Sequence, residues 1–333
     1  MNKLDKKDYR ILFELDRNSR QSINELAKGT ALSRDIVAYR MKQLEKAEII
    51  EKYITIIDFT KFGFQIVRLY LKLQNTTPEI EQKMISFFME LNNSLTIYQI
   101  DGYYNIAVGL LVRDFFEYKT TEELFLQKFR SYIIEKQVSI FLDYIHYSRN
   151  YLVEKKHHDY TAISTGSFKP FQYDEKDLEL LNYIKENARM TLLELADKLR
   201  MTATGVKYKL KNLEKNKVIV AYKILLNAKA LANAYYKVDL QLEDLSIISG
   251  LNHYLLHHPN IIYQEKTIGG SDFEFDIEID SKENFYRLLE EIKSLFPQKI
   301  RTIQYYQALK IYKYSYFPEE FLNQKTKKLP PKY

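Results

Sequence analysis

The chain has 333 residues, 46% of them apolar and 28% charged, with no cysteine, a net charge of +6 and a pI near 8.9. This length allows more than one apolar core, and the composition is that of a globular protein rather than a disordered one. The lack of cysteine excludes disulfides and thiolate zinc sites. The polar start MNKLDKKDYR and a longest apolar run of only IAVGLLV exclude a secretory leader and a membrane span, so a soluble cytoplasmic protein is expected.

In chain order, the first elements are three helical patterns. Ile11, Leu12 and Leu15 form the first stripe, Ile23, Leu26 and Ala27 the second, and Val37, Met41 and Leu44 the third. Ser33 stands as N-cap of the third helix, and the short turn before it makes the second and third helices cross steeply, as in a helix-turn-helix. The following segment EIIEKYITIID reads as a short two-stranded wing. Period-2 alternation in RLYLKLQ then leads to a stripe at Ile80, Met84, Phe87, Phe88 and Leu91, two strands around a glycine turn, a helix near residues 121–133 and a last strand, VSIFLDYIHY. This order, βαββαβ, is ferredoxin-like, with helices on one face of an antiparallel sheet.

The chain then repeats itself. Shifted by 169 residues, 4–58 aligns with 173–227 without a gap and 17 of 55 positions are identical; YRMKQLEK at 39–46 returns as YKLKNLEK at 208–215. The same offset matches Val67, Leu69, Leu71 and Leu73 with Tyr236, Val238, Leu240 and Leu242. The expected organisation is a winged helix-turn-helix over 1–58, a ferredoxin-like domain over 59–153, a linker over 154–172 rich in Ser, Thr, Gly and Pro, a second winged unit over 173–227, a second ferredoxin-like domain over 228–321 and a basic tail over 322–333. The fold class is α+β, and the free apolar faces of the two sheets are expected to pack on each other.

This pattern resembles the Lrp/AsnC family of transcription regulators. The resemblance rests on Leu4, Asp5, Asp8, Ile11, Leu12, Leu15, Arg20, Leu26, Ala27, Leu32, Ser33, Val37, Arg40, Leu44, Glu45 and Ile50. The second copy keeps Asp174, Asp177, Leu180, Leu181, Arg189, Leu195, Ala196, Thr202, Val206, Leu213, Glu214 and Ile219. Glu48 and Lys217 stand where the family usually has glycine, and the arginine of the third helix becomes Lys209. The resemblance implies a regulator of transcription that binds double-stranded DNA, whose paired halves form a dimer-like unit within one chain. Further homo-oligomerisation stays open. Two different recognition helices would then read an asymmetric site, with half-sites roughly 34 Å apart.

With Val37, Met41 and Leu44 inward, Arg34, Asp35, Ala38, Lys42 and Gln43 face outward, with Ser33 at the cap and Tyr39 and Arg40 at the flanks. The second set is Thr202, Ala203, Thr204, Lys207, Lys211 and Asn212, flanked by Tyr208 and Lys209. Five lysines against one glutamate over 202–217 lean the second helix towards phosphate contacts. The plain alternative for such helices is a solvated charged face; the cap, the short turn and the wing, all present twice, argue for DNA. For an effector, the resemblance points to hairpin turns, here Gly102 with Asn105 and Gly269 with Asp272, and to an amino-acid-like small molecule. Ordinary hairpin chemistry accounts for the same residues.

Enzymatic readings are weaker. No G-x-x-x-x-G-K-[ST] loop occurs, and His253, His257 and His258 lack a further ligand at metal spacing, so no cofactor, metal or catalytic residue is assigned. One enzymatic class, the siroheme decarboxylases, resembles the same regulators. Tyr104, Asn105 and Ile106 lie where those enzymes carry a Y-N-x-W run, but the chain has no tryptophan, and His146 on the closing strand is the sole sheet histidine. A repeat scaffold that holds proteins through its wings is a third class, which no residue selects.

Overall fold

The computed structural model describes residues 4–228 and 230–315; the tail expected over 322–333 lies outside the described residues. The first copy comprises α1 (Lys6–Arg17), α2 (Ile23–Thr30), α3 (Arg34–Lys46), β1 (Ile50–Ile57), β2 (Gln65–Leu73), α4 (Pro78–Met89), β3 (Ser94–Gly102), β4 (Ile106–Val112), α5 (Phe115–Phe129) and β5 (Ile133–His146). After the two-residue β6 (Ile163–Ser164), the order returns as α6 (Glu175–Ile184), α7 (Leu192–Leu199), α8 (Ala203–Lys215), β7 (Ile219–Leu226), β8 (Ala234–Leu242), α9 (Ile248–His257), β9 (Ile261–Ile268), β10 (Phe273–Ile279), α10 (Lys282–Leu295) and β11 (Ile300–Tyr314). α5 begins before the expected position because Asp114 caps it through Glu117 N.

The segment after each third helix is one strand rather than a two-stranded wing. β1 runs antiparallel to β7, with Ile54 opposite Lys223 and Thr55 opposite Tyr222. Each strand therefore completes the other copy's helical core. Ile224 and Leu226 pack with Ile11, Leu12, Leu26 and Val37, while Ile57 packs with Leu180, Leu195 and Val206. Two arginines at equivalent positions cross between the units: Arg189 donates to the Ser19 and Gln21 carbonyls at 2.7 and 2.8 Å, and Arg20 donates to the Ala188 carbonyl.

The ferredoxin-like halves do not stack as two sheets. The long last strand of each copy pairs with both copies: β5 with β2 (Leu69 opposite Val138) and β9 (Tyr144 opposite Glu265), β11 with β8 (Ile303 opposite Leu240) and β3 (Ile311 opposite Tyr98). The ring β2-β4-β3-β11-β8-β10-β9-β5 closes back on β2 as an eight-stranded antiparallel barrel. Closure removes both free sheet edges.

Alternation divides the barrel wall. Val67, Leu69, Leu71, Ile106, Val108 and Leu110 point outward into a core under α4 and α5. Val238, Leu240, Phe273, Phe275 and Ile277 do the same under α9 and α10. The opposite faces, expected to be apolar, carry Arg68, Tyr70, Lys237, Asp239, Glu274 and Asp276, all buried. The inner faces are therefore charged, and the meeting of the two halves is a polar lumen rather than a second apolar core.

The stretch expected as a linker is strapped to the body. β6 pairs with β5, Ser167 donates to Asp58 through backbone and hydroxyl, and Phe171 N donates to the Lys61 carbonyl at 2.9 Å. A buried ionic group holds the first helical unit to the barrel. Arg149 contacts Asp16 at 2.6 Å and Glu278 at 2.8 Å, and Lys223 reaches Asp16 at 3.3 Å.

Candidate nucleic-acid interface and the barrel lumen

α2 ends at Ala31 with φ 55°, and two residues later Ser33 accepts a bond from Ile36 N at 3.4 Å to start α3. The second copy builds the same turn from Arg200, φ 52°, and Thr202, which accepts from Gly205 N at 3.1 Å. A left-handed residue is what lets so short a turn reverse the chain, and non-glycine residues hold it at some cost. Glu48 and Lys217, which replace the family's glycine, keep φ at 53° and 54°, so the turn into β1 and β7 survives the substitution.

On α3, Ser33, Arg34, Asp35, Tyr39, Lys42 and Gln43 are exposed and Ala38 is half-buried. On α8, Thr202, Thr204, Lys207, Tyr208 and Lys211 are exposed, with Ala203 and Asn212 half-buried. Tyr39 and Tyr208 are 65% and 73% exposed, so each helix offers a ring to a partner rather than to its own core. Arg40 and Lys209 are placed differently from their neighbours. Arg40 is bound to Asp5 at 2.9 Å and Asp8 at 2.8 Å, and Lys209 to Asp174 at 2.7 Å and Asp177 at 2.9 Å. These aspartates form the capping boxes of α1 and α6, so each cation ties its recognition helix to the start of the first helix. Burial works against the charge on Asp174, yet the bonds from Lys209 and from the Asp177 backbone hold its pKa below the usual range.

The four hairpin residues also serve the fold. Asn105 Oδ1 accepts from Leu73 N at 2.9 Å, and Asp272 Oδ2 accepts from Leu242 N at 2.8 Å, on strand residues that match at the 169-residue offset. Gly102 (φ 149°) and Gly269 (φ 77°) supply backbone that side chains rarely adopt; a Cβ on Gly102 would meet the Tyr305 carbonyl at 2.6 Å.

Sequence reasoning did not anticipate the lumen. Arg68 contacts Glu265 and Glu274, each at 2.7 Å, and lies over the Tyr70 ring at 4.6 Å. Lys237 contacts Glu265, Glu274 at 3.1 Å and Asp276 at 3.5 Å. Burial, together with neighbouring carboxylates, pushes Asp239 and Glu265 well up from ordinary carboxylate values, whereas Arg68 and Lys237 outweigh burial at Glu274 and hold it down. His146 stands here too, packed against Tyr144 and Tyr263, and burial drives its pKa well below 6.5. The available signal was the mixture of both charge signs on alternating strand positions. Among the described residues, no group of three or more His, Asp or Glu could hold a metal ion, and no helix is long and apolar enough to cross a membrane.

Comparisons with known proteins bear on both regions. A family model described as winged helix-turn-helix DNA-binding matches residues 4–51 and again 173–220. An uncharacterised HTH-type transcriptional regulator of Pyrococcus abyssi is 33% identical over 135 residues, covering 39% of this chain and 88% of that protein. The structure of LrpC from Bacillus subtilis is 26% identical, with a TM-score of 0.35, covering 41% of this chain and 94% of that one. The siroheme decarboxylase NirDL matches over 96% of both chains with a TM-score of 0.63 but 14% identity, a likeness of fold alone. With the winged unit present twice, and a relative of one-copy length matched almost end to end, the chain belongs to the HTH-type transcriptional regulators of the Lrp/AsnC type.

Proposed function

We propose that this regulator reads an asymmetric DNA site, with α3 and α8 each in a major groove. The observation that carries the reading is one frame, β1 on β7, presenting two helices whose outward residues differ at matched positions: Arg34, Asp35 and Ala38 against Ala203, Thr204 and Lys207. Arg34, Lys42 and Gln43 offer donors to base edges and phosphates, and Lys207 and Lys211 to phosphates. Arg40 and Lys209 act as positioning residues, because their charges are already committed to aspartates. The test is selection from random duplexes followed by a salt series. A two-part motif with unlike halves and a steep salt slope supports the reading, and salt-insensitive, negligible binding overturns it.

An amino-acid-like effector belongs to the same proposal. At the hairpins it would have to displace the bonds that Asn105 and Asp272 accept from Leu73 N and Leu242 N. A shift of the DNA-binding curve on adding amino acids, lost on Asp272→Ala, tests it.

A second reading, a tetrapyrrole enzyme, is favoured by the whole-chain fold likeness to NirDL and by His146 in the lumen. The residues fit it poorly. The lumen cavity measures about 160 Å³, far below a tetrapyrrole, and the cations that would meet its carboxylates, Arg68 and Lys237, are engaged by Glu265 and Glu274. We therefore propose a non-enzymatic regulator. A stoichiometric absorbance change on anaerobic titration with siroheme would reverse that choice.

A further inference from the structure

We propose that the barrel lumen is a binding site for a small organic ammonium ion with a compact apolar or aromatic body. The site goes beyond the regulator reading and does not depend on it.

The cavity has a volume of about 160 Å³. An engineered cavity of about 150 Å³ holds benzene, which sets the size of the guest's body. Tyr70, Tyr98, Tyr235 and Tyr306 are among the residues that line it, with Ile100 and Ala107 between them. Tyrosine faces attract cations that have left water. The half-buried Thr60, Thr165 and Gly166 and the exposed Leu142 stand at its solvent-facing end.

Charge fixes the sign of the guest. The buried cluster holds two cations, Arg68 and Lys237, against four carboxylates, Asp239, Glu265, Glu274 and Asp276. Both cations are engaged by those carboxylates, so among the described residues of the cluster no free positive group waits for an anion. The unspent capacity is mainly that of acceptors. Among the described residues, Tyr70 Oη and both ring nitrogens of His146 have no hydrogen-bond partner, and Asp276 Oδ1 has only the long 3.5 Å contact from Lys237, although each residue is at most 2% exposed and lines the cavity. Tyr235 already donates to the other oxygen of Asp276, which orients that carboxylate. A neutral hydrocarbon would leave these groups unpaired, and a carboxylate would meet Asp276 and Glu265. An ammonium group supplies three donors and one of the two positive charges that the cluster lacks. The raised pKa values of Asp239 and Glu265 have the same origin: without a third cation, protons neutralise the excess carboxylates.

The experiment is isothermal titration of the full chain with 2-phenylethylamine, 3-phenylpropionate and benzyl alcohol, similar in body and different in charge. The expected result is saturable binding of one amine per chain, at least tenfold tighter than either other probe. Asp276→Asn should weaken the amine at least tenfold with the circular dichroism spectrum unchanged. Ala107→Leu, which fills the lumen from β4, should abolish binding and covers the case in which the first variant does not fold. Equal or tighter binding of phenylpropionate, unchanged amine affinity in either folded variant, or no binding of phenylethylamine and of the smaller tetramethylammonium would each overturn the proposal. DNA binding is measured separately, so failure here leaves the regulator reading standing.

Discussion

The two winged units share cap, turn and cross-paired strand but are fastened differently. The first is held by charge: Asp16 at the end of α1, wholly buried, faces Arg149 and Lys223, and Arg149 continues to Glu278 on β10. At the matching position the second unit has Lys185, and its attachment to β1 uses a neutral bond, from Thr55 Oγ1 to the Ile184 carbonyl at 2.7 Å, and the exposed pair Lys52–Glu186. A duplicated unit thus keeps its helix-presenting geometry while its anchoring diverges. Geometry depends on caps and the β1–β7 pair, and anchoring depends on what each copy meets, the barrel for the first and β1 for the second.

The largest test of that difference is Arg149→Met. It leaves Asp16 and Glu278 as buried charges short of a partner and should cost about 3–5 kcal/mol. Urea unfolding measures the cost, and hydrogen exchange should show α1–α3 losing protection before α6–α8. The lesion at the second unit's attachment, Thr55→Val on β1, should cost about 1 kcal/mol. A similar cost at both sites would erase the distinction.

On DNA the units should separate by chemistry. Lys207→Ala with Lys211→Ala should weaken all duplexes alike and lower the salt slope by about 2. Arg34→Ala should cost about 1–3 kcal/mol on the selected site and relax base preference in one half of it. Uniform losses from both changes would indicate that the helices do not divide the work.

His146 lies beside the first unit's anchor, with Lys223, Arg149 and Asp16 as its charged neighbours. Burial, and then Lys223 and Arg149, hold its folded pKa well below 6.5. Below pH 6.5 the unfolded chain therefore takes up a proton that the folded chain refuses, and stability drops as the pH is lowered, by up to about 1.4 kcal/mol per pH unit. Asp239 and Glu265, raised by burial, act with the opposite sign: their contribution is lost as pH rises from the ordinary carboxylate range towards their folded values. The difference between wild type and His146→Phe isolates the histidine, and an unchanged acid slope would contradict its neutral burial.

The smallest expected effect checks what the two units share. Glu48→Gly and Lys217→Gly relieve a left-handed residue and should each stabilise the chain by about 1 kcal/mol or less in thermal unfolding. Unequal gains would mean that the turns are not equivalent.

The sequence by itself determined the local elements and their repetition. Asp5, Ser22, Ser33, Asp174, Thr191 and Thr202 mark helix starts because capping is satisfied within a few residues, and alternation separates Leu69 from Arg68 because a strand has two faces. Tertiary structure alone decided what each face meets. The sheet faces away from the helices read as apolar, yet they carry Arg68, Lys237 and Glu274, which are buried because β5 and β11 cross to the other copy and close both faces around one lumen. It likewise set Arg40 against Asp5 and Asp8, and Asp16 against Arg149, which lies 133 residues away. Period and spacing report which residues share a side. Whether that side faces water, DNA or another charge depends on closure of the ring and on the pairing of β1 with β7.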